Sequence, residues 1–219
     1  MGRRYSAFVR HDAKLDDLVT DLARHPATAR HLATKLCRHF IDDPPPAEAV
    51  QAVERTFIQT QGHLPAVHAA VVEAAARHLD TTRKLSNPET WYWQLHGMTQ
   101  QPVPSAAPLP NTPGEKAIFT LEELGQGIPR CPQPDGWPIQ SPAWLSREML
   151  DRRIRYAWQF TARPGLLAER ERIAEVMRHE LAPGASLQQD VAAALRRGGR
   201  EGPRTALSLW LASSEFLWS

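Results

Sequence analysis

Three consecutive prolines, Pro44-Pro45-Pro46, stand directly behind Asp42-Asp43 and close the run that begins at His25. A proline inside a helix removes a backbone hydrogen bond and collides with the preceding turn, and it drives the residue before it toward extended geometry. No helix crosses that point. Before it, Pro26 suits a first helical turn, where its missing N–H costs nothing. Ala29, Leu32, Ala33, Leu36, Cys37, Phe40 and Ile41 then recur at the i, i+3, i+4, i+7 spacing of an amphipathic helix with one buried face. Arg30, His31, Thr34, Lys35, Arg38 and His39 fall on the opposite face. Pro46 fits the first turn of a second helix reaching about Gln61.

The same punctuation recurs along all 219 residues. Residues 14–24 predict a short helix. Gly62 closes the second helix, and Pro65 opens a third with Val67, Val71, Ala74 and Ala75 inward. Asn87-Pro88 starts a fourth that runs through Leu95 and stops at Gly97. A proline-rich stretch, 98–114, reads as an extended connector. A short helix around 115–124 ends at Gly125, and 126–143 is irregular. Ser146 caps a helix carrying Met149, Leu150, Arg153, Ile154, Ala157, Trp158 and Thr161, stopped near Pro164. Residues 166–181 predict another, 187–197 a further one capped by Ser186, and a last helix runs through Leu207–Leu211 into Phe216. No alternating pattern of useful length predicts a strand. The expected fold is all-α: an irregular multi-helix bundle with a Pro-rich connector and a Trp-bearing loop. Its expected parts are 1–97, the 98–114 connector and 115–219, within one structural domain.

Bulk properties narrow the functions. The formal net charge is +2, and the arginines are interleaved with Asp and Glu rather than gathered on one face, which argues against a nucleic-acid binder. No run of about 18 apolar residues is present to span a bilayer. No secretory apolar segment follows Met1, so a cytoplasmic location is the default, with co-export by a partner as the alternative. Cys37 and Cys131 are the only cysteines. The first sits on the apolar stripe as a buried thiol, the second in a loop. The nine histidines form no H-E-x-x-H, and no C-x-x-C, G-x-S-x-G, Walker or GxGxxG pattern occurs, so neither a metal nor a cofactor is expected.

Several segments carry a family resemblance. Gly2-Arg3-Arg4-Tyr5, the His25–Phe40 run with Asp42-Asp43-Pro44-Pro45-Pro46, Gly62-His63-Leu64-Pro65-Ala66-Val67 and Lys84-Leu85-Ser86-Asn87-Pro88 are followed in order by Leu124-Gly125-Gln126, Pro134-Asp135-Gly136-Trp137-Pro138, Trp144-Leu145-Ser146 and Leu211-Ala212-Ser213-Ser214-Glu215-Phe216. Together they resemble DUF1800, a family of uncharacterised bacterial proteins. His63 stands where the family pattern has aspartate and Ser214 where it has proline. The resemblance implies that the chain corresponds to the carboxy-terminal half of the family domain, a fragment lacking an amino-terminal half. It also implies a partner, a DUF1501-like protein.

Candidate ligand-binding residues are His25, Lys35, Arg38, Asp135, Trp137 and Trp144. His25 either presents a neutral imidazole at a helix N-terminus, where the dipole lowers its pKa, or caps that helix. His31, Lys35, Arg38 and Asp42 share one stripe, which either holds an anionic group or is a solvated face with an Arg38–Asp42 pair. Adjacent Asp42 and Asp43 read as turn chemistry. In the Trp137 loop, prolines, Gly136 and aromatic faces either form a stacking platform or plug the core. Two functions follow: a non-catalytic binding or assembly module working with a partner protein, or a hydrolase-type enzyme or subunit acting on an anionic or glycan substrate. No catalytic residue is singled out.

Overall fold

The computed structural model describes residues 13–104, 117–163, 166, 186–197 and 199–218. They form α1 (Ala13–Ala23), α2 (Pro26–Phe40), α3 (Ala47–Gln59), α4 (Leu64–His78), α5 (Pro88–Thr99), α6 (Ala117–Glu123), α7 (Arg147–Phe160), α8 (Ser186–Arg196), α9 (Glu201–Leu211) and α10 (Ser214–Leu217), with 3₁₀ turns at Ile128–Arg130 and Ser141–Trp144. Among the described residues there is no strand beyond a single antiparallel bridge, Leu85 to Trp218, so the fold is all-α. The expected segment 1–12, most of the 98–114 connector and nearly all of the 166–181 helix lie outside the described residues.

Contacts divide the chain into two units, 1–83 and 84–219. The division falls between Arg83 and Lys84, so the helix opened by Pro88 packs with the later residues.

In the first unit, α2, α3 and α4 pack pairwise. Ala29, Ala33 and Cys37 of α2 meet Ala49, Val50, Val53 and Phe57 of α3 and Val67, Val71 and Ala74 of α4. Apart from Phe57 these side chains are small, which lets the helix backbones approach closely. Burial pushes the Cys37 thiol up to about 11, so it stays an uncharged hydrophobe. Pro46 turns out to be the N-cap of α3, one place before the first turn. Gly62 closes α3 at φ +82, and a Cβ there would fall 3.2 Å from the Phe57 ring. Phe40, expected on the buried stripe, is 59% exposed, because the chain leaves the helix here and Ile41 takes the inward place.

His78 ties the end of α4 to the start of α3. Its Nδ1 lies 2.7 Å from the Ala74 carbonyl and its Nε2 2.9 Å from Glu48 Oε1. The Ala74 and Glu48 hydrogen bonds raise its pKa, while partial desolvation and Arg77 oppose them. A raised histidine contributes stability in full below its unfolded pKa of about 6.5. That contribution is lost as pH rises through the folded value.

The second unit is built on α5. Trp91, Tyr92 and Leu95 are fully buried, and the Trp91 indole N–H donates to the Leu211 carbonyl at 3.0 Å. Helix α9 packs on α7, α8 and α10. The Ser86 N–H reaches the Leu217 carbonyl at 2.8 Å, closing the C-terminal residues onto the entry to α5. Buried Gln126 accepts the Glu89 N–H at 2.9 Å, supplying a partner for a donor in the first turn of α5. Helix α5 continues past Gly97 to Thr99 and is capped by Gln100 at φ +50. Nothing stands within 4 Å of where a Gly97 Cβ would project, so no close approach forces a stop there. Of the residues that marked α7, Arg153 and Ala157 are buried, but Ile154 and Trp158 face out and Tyr156 and Phe160 face in. The last helix breaks at Ala212, and Ser213 caps the separate turn α10.

Two outcomes test this packing. Urea unfolding of wild type and His78→Gln is expected to differ most below the unfolded histidine pKa of about 6.5 and to converge as pH rises through the raised folded value; equal separation at all pH values contradicts the His78 assignment. Gly202→Ala is expected to cost about 1–3 kcal/mol, since a Cβ there would lie 2.6 Å from the Ala194 carbonyl oxygen and closer still to that of Arg197. Chemical denaturation measures it.

Candidate functional site

His25 is the N-cap of α2. Its Nδ1 accepts the Ala27 N–H at 3.1 Å, with Pro26 behind it in the first turn. The imidazole nitrogen nearest the helix is thereby occupied in capping. Arg38 lies thirteen residues along the same helix, about 20 Å away at 1.5 Å per residue. It pairs with Asp43, Nε to Oδ1 at 3.5 Å, not with Asp42. The Asp42 carboxylate instead turns back to accept the Asp43 N–H at 2.6 Å, the turn chemistry read from the sequence. Lys35 is exposed on the face between. His25 and Arg38 are therefore not brought together.

In the second unit, Trp137 and Trp144 do meet, with ring centroids 5.9 Å apart and planes tilted at 48°. Trp144 is buried and donates its indole N–H to the Pro138 carbonyl at 2.8 Å. Trp137 is half-buried, packed against the core, and its indole nitrogen has no hydrogen-bond partner. The Lys84 ammonium holds the same loop through the Ile139 carbonyl at 2.6 Å. Asp135 is exposed in the turn.

The described residues also form two concave sites that the sequence did not point to. The first is a groove of about 600 Å³ between α2 and α4, lined by Leu36, Phe40, Val71, Val72, Ala75 and Leu79, with His68 at one end. Its outer lip is apolar and open: Phe40 is 59%, Val72 68% and Leu79 74% exposed. The sequence signal is the surplus of apolar residues in α4 beyond Val67, Val71 and Ala74, which face its core. Such a contiguous patch is what binding surfaces present.

The second is a cavity of about 210 Å³ lined by Thr120, Glu123, Tyr156, Gln159, Phe160 and Arg163. Behind it Tyr92 and His96, one helical turn apart, stack at 4.6 Å, and they pack on Tyr156 and Phe160 respectively. The Arg163 guanidinium lies over Phe160, 4.4 Å from its centroid. Burial lowers the His96 pKa and raises those of Tyr92 and Tyr156. All three rings are thus uncharged near neutrality. His96 Nδ1 faces the Gln101 carbonyl at 3.2 Å, which makes it the N–H donor and leaves Nε2 a buried acceptor without a partner. A turn away on α7, buried Arg153 sits 5.9 Å from the Trp91 ring with no hydrogen-bond partner on any guanidinium nitrogen. Burial pushes its pKa down to about 10. The cavity can hydrogen-bond a small polar molecule; the groove, nearly three times larger and apolar, can cover a protein surface.

The DUF1800 family model, described as a protein of unknown function, matches residues 1–218. No curated protein and no solved structure matches the chain. No described helix is long and apolar enough to cross a membrane.

The capping role of His25 has a direct test. His25→Ala is expected to lose about 0.5–2 kcal/mol of stability, and His25→Asn, which keeps an acceptor at the cap, to recover most of it. Thermal unfolding reads both; an Asn variant as unstable as the Ala variant contradicts the assignment.

Proposed function

The chain belongs to the DUF1800 family of proteins of unknown function, and from its surfaces we propose that it is a non-catalytic binding and assembly module. The observation that carries this is the α2–α4 groove, whose lip leaves Phe40, Val72 and Leu79 in water. Leaving large apolar side chains wet forgoes about 25 cal/mol for each Å² uncovered. A partner recovers it. An open apolar channel between two helices suits an amphipathic helix that lays its own stripe along it. The flank supplied by α2 carries His31, Lys35 and His39, on a helix with no acidic residue, so a helix with acidic edges complements it. Lys35 serves here as part of a basic flank rather than as an anion clamp, and Arg38 is held by Asp43.

The DUF1501-like protein implied by the resemblance is the first heterologous partner to test. The chain is co-produced with such a protein, and binding is measured for wild type, Val72→Glu and a control, Gln51→Glu, on the exposed face of α3. The expected result is a complex weakened about tenfold or more by Val72→Glu and unaffected by the control. A complex indifferent to Val72→Glu contradicts the groove; no complex at all removes this partner.

The second reading, a hydrolase-type enzyme on an anionic or glycan substrate, draws no support from His25 and Arg38, which serve a cap and an ion pair about 20 Å apart. Trp137, packed edge to tilted edge on Trp144, fits the core-plug role better than a platform.

A further inference from the structure

Among the described residues of the first unit, helix α1 leaves its apolar stripe exposed. Leu15, Leu18, Val19 and Leu22 recur at i, i+3, i+4 and i+7, and Leu15, Val19 and Leu22 are each more than half exposed. Asp16 and Asp21 border that stripe on either side, with Asp17 behind. The helix has eleven residues, and one this short is marginal in water unless something packs on it. Its junction to α2 is well defined. The His25 N–H reaches the Leu22 carbonyl at 3.2 Å, and the Thr28 hydroxyl donates to the same carbonyl at 2.7 Å. Held this way, α1 leaves its stripe in water and its own chain's groove open.

Stripe and groove fit each other. The helix is about 16 Å long, and the groove along α4, from His68 to Leu79, spans eleven residue steps, again about 16 Å. The stripe is bordered by carboxylates; the groove is bordered on the α2 side by Lys35 and His39, from a helix without an acid. We infer that the groove of one copy takes α1 of a second copy, and the reverse, so that two chains pair through two equivalent helix-in-groove contacts. A reciprocal exchange of one element is the closed, two-fold way for identical chains to cover such a pair of surfaces. This rests on the groove being a binding face, and it names the occupant. The carboxylate flank of α1 against the basic flank of α2 sets the orientation and makes the association weaken with salt.

Sedimentation of the full chain over a range of concentrations tests it, with Val19→Glu breaking the stripe and Val72→Glu breaking the groove. Both positions are exposed, and circular dichroism verifies that each variant folds. Wild type is expected to form a dimer, and each variant to raise its dissociation constant about tenfold or more. Mixing the two variants is expected to restore association, because the intact α1 of Val72→Glu meets the intact groove of Val19→Glu. A wild type that stays monomeric at high micromolar concentration overturns the inference, as does a dimer insensitive to both substitutions or variants that do not complement. If wild type is monomeric while a heterologous helix still binds in a Val72-dependent way, only the occupant named here fails. If Val72→Glu alters neither, the groove reading fails with it.

Discussion

Helices of eleven to fifteen residues are marginal on their own, and no described helix here is longer. Each turn is stable only to the extent that its apolar face is covered. Pro26, the Pro44–Pro46 run, Pro65 and Pro88 fix where helices start, and Gly62 and Gly125, at φ +82 and +92, fix where two of them stop. Everything else in the structure answers the question of what covers each face.

The second unit answers it with aromatic bulk. Trp91 has no exposed surface, and its indole N–H is matched to the Leu211 carbonyl, 120 residues away in sequence. A buried indole that lost this partner would forfeit about 1–3 kcal/mol, so the bond ties the register of α5 to the end of α9. Tyr156 and Phe160 then pack on the same helix and form the wall of the small cavity. The first unit uses small residues instead. Its three packed helices bury one narrow stripe each, and α4 is apolar well beyond that stripe. The surplus forms the groove, and α1 presents the matching surplus on the other side of the His25 turn.

Much of this architecture was legible because its signals are local. Pro26 with His25 ahead of it, Asn87 ahead of Pro88 and Ser146 ahead of α7 are caps whose chemistry needs no tertiary information, and each side chain accepts a backbone N–H as the residue type requires. Failures arose where tertiary packing decided. Gly97 looked like a stop, but a glycine facing open space costs a helix only about 1 kcal/mol, and the cap moved to Gln100. The α7 stripe lies about one residue out of phase with the sequence reading, because Tyr156 and Phe160 turn inward while Ile154 and Trp158 stay outside, Trp158 under the Arg204 guanidinium at 3.8 Å. The groove is not legible in the sequence because α4 has the pattern of an ordinary buried helix, while its core uses only Val67, Val71 and Ala74. The cavity joins α6 to α7 across a sequence gap, and no spacing rule links Glu123 to Arg163.

The central claim is that α1 owes its helical structure to a groove on another copy. Amide hydrogen exchange measured at two protein concentrations tests it most directly. The α1 amides, residues 17–23, are expected to be protected in concentrated solution and to exchange much faster on dilution, while α3 and α4 amides keep their rates. Protection of α1 that does not change with concentration would contradict the claim.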